Sequence, residues 1–310
     1  MKSQIAVSII GPTAVGKTEL ALQLTKVPFL QKKFTGFDII SADSRQVYRG
    51  LEIISGADIP EELDHHVKLY GLSMIEPNQE WSLAHFRKFG QQIIHQSWST
   101  HRLPIIVGGT GLYHHHLFSK DPLIDIQPDQ EVRQKAALMT TEELQAWLKE
   151  INPTHFSQMN HSDQHNPRRL VRAIEIGLNG EKSEPPSDTN SENIIIGLTD
   201  SLANIQTRIE ERVKYRFHHG AIQEVEHLLA LDPPPTKPAL STTGVAEIVQ
   251  YLQDQVSEAE IISHWARREL QYAKRQLTWW KKYGHAQWFD RANAACFDQI
   301  VTYLASQLAD

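Results

Sequence analysis

The sequence predicts an α/β fold, a parallel sheet with helices on both faces and a small helical insertion. Three observations carry this expectation. Apolar strand-like runs alternate with helical periodicity through the first third of the chain. A glycine-rich loop follows the first of those runs and opens a helix. From about residue 120 the pattern turns helical, and a buried-strand pattern returns only at residues 193–198.

Each element follows in order. Ile5-Ala6-Val7-Ser8-Ile9-Ile10 reads as the first strand, residues 17–25 as a helix, and Phe37-Asp38-Ile39-Ile40-Ser41 as the second strand. A helix over 83–98 precedes the strand Leu103-Pro104-Ile105-Ile106-Val107 and the turn Gly108-Gly109-Thr110-Gly111. Residues 131–139, 141–150 and 168–178 read as helices, the second opened by Thr140 with acidic residues in its first turn. Residues 180–192 are polar, contain Pro185-Pro186, and read as a loop. The strand at 193–198 rejoins the sheet, and the remainder reads as helical, interrupted by Pro233-Pro234-Pro235. The expected division is a core of 1–119 and 190–310 with an insertion of 120–189.

Composition narrows the function classes. The chain has 310 residues, 22% charged and 40% hydrophobic, and no apolar run approaches the ~18 residues that span a bilayer. The first residues enter a strand directly, so no signal peptide, no membrane partner and a cytoplasmic location are expected. Cys296 is the single cysteine, which excludes disulfides and cysteine-rich zinc sites. The sixteen histidines include His65-His66, His114-His115-His116 and His218-His219, but none forms H-E-x-x-H. Adjacent histidines are expected to point apart and to serve packing or surface roles. A net charge of −6 means that any nucleic-acid contact must use a local basic patch.

Gly11-Pro12-Thr13-Ala14-Val15-Gly16-Lys17-Thr18 has the G-x-x-x-x-G-K-T spacing of a P-loop, so the sheet is expected to be P-loop NTPase-like. Its backbone N–H groups and the following helix N-terminus suit phosphate oxygens; Lys17 reaches a terminal phosphate and Thr18 offers a hydroxyl to Mg²⁺. Ligands gather at the carboxyl ends of parallel strands, which places the P-loop, Asp43 and Thr110 around one crevice. Asp43 is equally readable from spacing as a helix cap or as a catalytic carboxylate. Arg208 and Arg212, four apart, present two cations to a diphosphate or RNA, or pair with acidic neighbours such as Glu211.

Between Trp265 and His285 stand six Lys/Arg and one Glu. Ala266, Leu270, Ala273, Leu277 and Trp280 make a buried stripe, and Arg267, Gln271, Lys274, Thr278 and Lys281 another face. Such a face, with Lys274 and Arg275, would bind phosphates in a salt-dependent way. Tyr272 and Trp279 are expected mainly to pack, with base stacking as the alternative.

Five blocks in order resemble tRNA dimethylallyltransferase (isopentenyl-tRNA transferase), of the bacterial type. They are residues 11–18, 41–50 (Ser41-Ala42-Asp43-Ser44-Arg45-Gln46-Val47-Tyr48-Arg49-Gly50), 107–113, 166–175 and 273–280. The resemblance implies that the P-loop holds dimethylallyl diphosphate, whose five-carbon group moves to N6 of the adenosine 3′ of the tRNA anticodon. It implies Asp43 as general base, Lys17 and Mg²⁺ at Thr18 on the leaving diphosphate, and Thr110 at the reacting adenosine. It also carries tRNA contacts onto Asp43, Ser44, Arg45, Gln46, Thr110, Arg133, Arg168, Arg169, Leu170, Val171 and Arg172. A monomer is expected. Two segments depart from the family: residues 52–60 lack its lysine, and Thr243-Gly244-Val245-Ala246-Glu247 lacks its aromatic and its cation. The alternatives are a P-loop kinase of a small metabolite or nucleoside, a prenyltransferase acting on free adenine nucleotides, and a nucleic-acid-binding module.

Overall fold

The computed structural model describes residues 4–57, 59–60, 62–119, 122–179, 191–282 and 285–309. Six strands form one all-parallel sheet: β1 (Gln4–Ile10), β2 (Phe37–Ser41), β3 (Val67–Tyr70), β4 (Leu103–Val107), β5 (Ser191–Thr199) and β6 (Gln287–Asp290). Their order across the sheet is β3-β2-β4-β1-β5-β6. The α/β architecture expected from the alternating pattern is therefore present.

Alternation within β1 explains the two layers. Ile5, Val7 and Ile9 face one way, into a core with Leu20 and Leu24 of the helix Lys17–Leu24 and with Ile300 and Leu304 of the C-terminal helix. Ala6 faces the other way and packs with Ile40, Ile106, Phe86, Ile94 and Leu117. Burying each large aliphatic or aromatic side chain contributes roughly 1.5–3 kcal/mol. A third cluster lies among helices. It joins Ile205, Ile209 and Val213 of the helix Leu202–Arg216 to Ile261, Trp265 and Ala273 of the helix Glu258–Trp280.

Both edge strands, β3 and β6, are absent from the sequence reading. In β3 only Val67 is buried, and in β6 only Phe289. An edge strand lacks the continuous apolar run of a central parallel strand, so the pattern gives little signal. β6 corrects the expectation that everything after β5 is helical. The loop expected at 180–192 lies outside the described residues except for Ser191 and Glu192, which begin β5.

The chain divides into two compact units, Met1–Phe118 with Asn190–Asp310, and Ser119–Thr189. The smaller unit has its own core of Val132, Leu144, Leu148, Leu170 and Ile174. Its helix Thr141–Ile151 starts at a reciprocal cap between Thr140 and Glu143, as the acidic first turn predicts. Among the described residues no helix is long and apolar enough to cross a membrane.

Candidate active site

The P-loop runs from the end of β1 into the helix Lys17–Leu24. Gly11 has φ +143° and Gly16, the helix N-cap, φ +93°, conformations that side-chain-bearing residues seldom adopt. A Cβ at Gly11 would also strike the Leu198 carbonyl of β5. Ala14 sits at φ +60° without being glycine. Its carbonyl accepts a hydrogen bond from Arg208 Nε at 2.9 Å, so helix Leu202–Arg216 helps to hold the strained turn. Such a turn followed by a helix N-terminus makes an anion-binding concavity.

The P-loop borders a cavity of about 320 Å³ that Lys17, Arg208, Arg212 and Arg291 also line. Lys17 Nζ donates to the Pro12 carbonyl at 2.7 Å. Burial lowers its pKa to about 7; the Asp43 carboxylate opposes that shift and Arg212 adds to it. Lys17 is half-buried and lines the cavity. Arg208 pairs with Asp200, not with Glu211, and Arg291 pairs with Glu19 at 2.8 Å.

Asp43 follows β2, and its Oδ1 accepts from the Arg45 backbone N–H at 2.8 Å. No helix starts at Asp43, so it is not a helix cap: one oxygen closes a turn, while the second takes no hydrogen bond among the described residues. Asp43 lines both the phosphate cavity and a neighbouring one of about 380 Å³. This second cavity carries Ser44, Arg45, Arg216, Arg268 and Arg275. Gln46 is a strut, accepting from Ser41 Oγ at 2.7 Å and donating to the Gly56 carbonyl at 2.8 Å.

The helix Glu258–Trp280 closes the site. Its expected buried stripe is present at Ala266, Ala273 and Trp280, and its basic face is exposed. The buried face also carries Glu269 and Gln276, which an apolar pattern does not anticipate. Gln276 Oε1 accepts from the Thr13 N–H of the P-loop at 2.8 Å. Glu269 holds Arg216 at 3.0 Å and accepts from Trp265 Nε1 at 3.2 Å. Tyr272 lines both cavities; its hydroxyl faces Thr110 and Gln276. Thr110 Oγ1 is buried without a hydrogen bond of good geometry, and the residue lines neither cavity, although the Tyr272 hydroxyl faces it. Arg275 lines the second cavity; Lys274 is exposed and lines neither.

Arg216, Arg291 and Gln276 escaped the sequence reading, and Tyr272, expected mainly to pack, lines both cavities instead. One signal was available: Arg208, Arg212 and Arg216 recur every four residues and share a helix face. Arg291 had none, because it depends on edge strand β6.

In the smaller unit the expected tRNA contacts divide. Arg168 and Arg169 are exposed, and Arg169 pairs with Asp163. Leu170 is fully buried in that unit's core, so its side chain packs and touches no ligand; Val171 is half-buried. Arg133 and Arg172 both bind the fully buried Glu175, at 2.7 and 3.2 Å. Arg172 also donates to the carbonyls of Leu123 and Ile126. The double variant Arg133→Ala, Arg172→Ala strands a buried carboxylate and is expected to destabilise this unit by about 3–5 kcal/mol, read from urea midpoints.

His65 and His66 do not point apart: their ring centroids are 3.7 Å from each other, beside Asp64, on an exposed surface. His114 is a packing residue, buried edge-on against Trp280. Where the family's aromatic and cation are missing, Val245 is buried in the helical core and Ala246 is exposed. Glu247 instead caps Gly244 and pairs with Arg268 at 2.7 Å.

A family profile described as IPP transferase matches residues 46–283, and one described as isopentenyl transferase matches residues 4–74. The tRNA dimethylallyltransferase of Symbiobacterium thermophilum is 33% identical over 92% of this chain and 88% of its own length. The crystal structure of tRNA isopentenylpyrophosphate transferase from Bacillus halodurans superposes with a TM-score of 0.69 at 30% identity, covering 99% of this chain and 97% of that one. A eukaryotic dimethylallyltransferase acting on tRNA shares the fold, with a TM-score of 0.78 at 21% identity over 98% of this chain and 78% of that one. The chain belongs to the IPP transferase family of tRNA dimethylallyltransferases.

Proposed function

We propose that this chain transfers the dimethylallyl group of dimethylallyl diphosphate to N6 of the adenosine immediately 3′ of the tRNA anticodon, with Asp43 as general base. One observation carries the reading: Asp43 lies on the boundary shared by a phosphate cradle and a second, arginine-lined cavity. A diphosphate in the first and an extruded adenosine in the second would meet at that carboxylate.

The exocyclic amine of adenine is a weak nucleophile because its lone pair is delocalised into the ring. Its attack on C1 of the donor forms the C–N bond. The C1–O bond breaks with its electron pair on the diphosphate, and the amine proton passes to Asp43. Lys17, Arg208, Arg212 and the P-loop amides stand where negative charge grows on the leaving group. Thr18 and Asp43 both line this cavity, and their hard oxygen donors fit Mg²⁺. Thr18 would hold the ion, which when bound would neutralise charge on the diphosphate. Arg45, Lys274 and Arg275 on the larger unit, and Arg168 and Arg169 on the smaller, are the cations proposed for tRNA phosphates.

Family membership sets aside the kinase alternative. Incubation with dimethylallyl diphosphate, Mg²⁺ and unmodified tRNA, followed by nucleoside mass analysis, is expected to yield N6-prenyladenosine. Absence of that product sinks the reading. Product on AMP in preference to tRNA would assign the chain to free nucleotides.

A further inference from the structure

The phosphate cavity and the arginine-lined cavity meet along a short boundary made by Thr13, Asp43, Ser55 and Tyr272. The migrating five-carbon group must cross this boundary to pass from diphosphate to amine. Of the four residues, Asp43 carries charge, and Thr13 and Ser55 are small and polar. Tyr272 alone offers an extended hydrocarbon surface, which an apolar allylic group needs.

We infer that the Tyr272 ring is a catalytic surface, in contact with the dimethylallyl group and stabilising the positive charge that develops on its allylic carbons as the C1–O bond breaks. This rests on the transfer reaction proposed above. The electron pair of that bond leaves on the diphosphate, and charge deficiency spreads over C1 and C3 until the N6 lone pair forms the new bond. An aromatic face carries the negative lobe of the ring quadrupole and attracts such a cation, most strongly where water is excluded.

Three features make the ring fit for this task. Its hydroxyl faces Thr110 and Gln276, and Gln276 is itself fixed to the Thr13 N–H, so the ring is braced against the P-loop. Its face already meets a cation, since the Arg275 guanidinium carbon lies 5.8 Å from the ring centroid. Burial and the Asp43 carboxylate hold the phenol protonated, its pKa pushed up to about 12, so the ring does not compete with Asp43 for the amine proton at neutral pH. Asp43 takes the proton, and Tyr272 shields the cation from water.

The test compares three side chains at position 272 in the full-length chain with tRNA and dimethylallyl diphosphate. Tyr272→Phe keeps the ring face and is expected to hold kcat within about threefold. Tyr272→Leu is expected to lower kcat about 5–30-fold, the range of a desolvated cation–π contact, with KM for the donor within about threefold. Pentafluorophenylalanine at this position keeps the shape of Phe but removes the negative face, and is expected to behave like leucine. Inorganic diphosphate affinity and the melting temperature, unchanged across the set, exclude misfolding. The inference is overturned if leucine or the fluorinated ring matches phenylalanine in kcat, while wild-type protein still makes product. Failure of the wild type itself strikes the parent reading instead.

Discussion

Asp43→Asn is expected to lower kcat about 10²–10⁴-fold while the tRNA dissociation constant stays within about threefold. Asparagine retains an oxygen that can accept from the Arg45 N–H, the 2.8 Å bond that closes the turn after β2. It loses the carboxylate's charge and with it the ability to take the amine proton. Single-turnover transfer and a tRNA binding titration on the same variant separate the two roles. Equal losses in rate and affinity would make Asp43 a structural turn residue. Asp43→Ala removes the turn bond as well and should add a loss of stability of about 1 kcal/mol.

Lys17→Met is expected to lower kcat by at least about 10²-fold, because the leaving diphosphate loses a cation beside it. The pH dependence gives a sharper signature. Burial brings Lys17 down to about 7 from the ordinary 10.5. Below pH 7 it is protonated in both folded and unfolded chains. Between about 7 and 10.5 the unfolded chain holds more of this proton, so this group's contribution to stability rises with pH. Donor binding has the opposite sign, since an anion favours the ammonium. Binding above pH 7 therefore takes up a proton, and affinity falls by up to about tenfold per pH unit. Calorimetry with an unreactive donor analogue, in two buffers of different ionisation enthalpy, measures that uptake. In Lys17→Met only the donor's own titration should remain; an unchanged uptake would assign the proton to another group.

The P-loop was legible because one continuous octapeptide holds its glycines, its amides and its lysine, and local backbone conformation suffices to build it. The central strands were legible for a related reason: each is buried on both faces and reads as an apolar run. The edge strands β3 and β6 fell silent, each with a single buried residue. With β6 went Arg291, whose place in the phosphate cavity depends on that strand joining the sheet.

Charge was the hardest feature to read. Five arginines at positions 133, 168, 169, 172 and 208 look alike in the chain. Folded, Arg133 and Arg172 are committed to the buried Glu175, and Arg208 to Asp200 and the Ala14 carbonyl. Arg168 stays exposed. Leu170, inside the same block, is core. A motif places a block in a family, but only burial and partners assign each side chain within it.

By itself the sequence determined the phosphate cradle, the carboxylate after the second strand and the family, because each rests on short continuous blocks of residues, the family on five of them in order. Tertiary structure alone decided that Gln276 reaches Thr13 across 263 positions and that Tyr272 stands where two cavities meet. The physical reason is distance along the chain. Local pattern records what a residue's neighbours in sequence require, whereas a site is made by packing that sequence spacing does not encode.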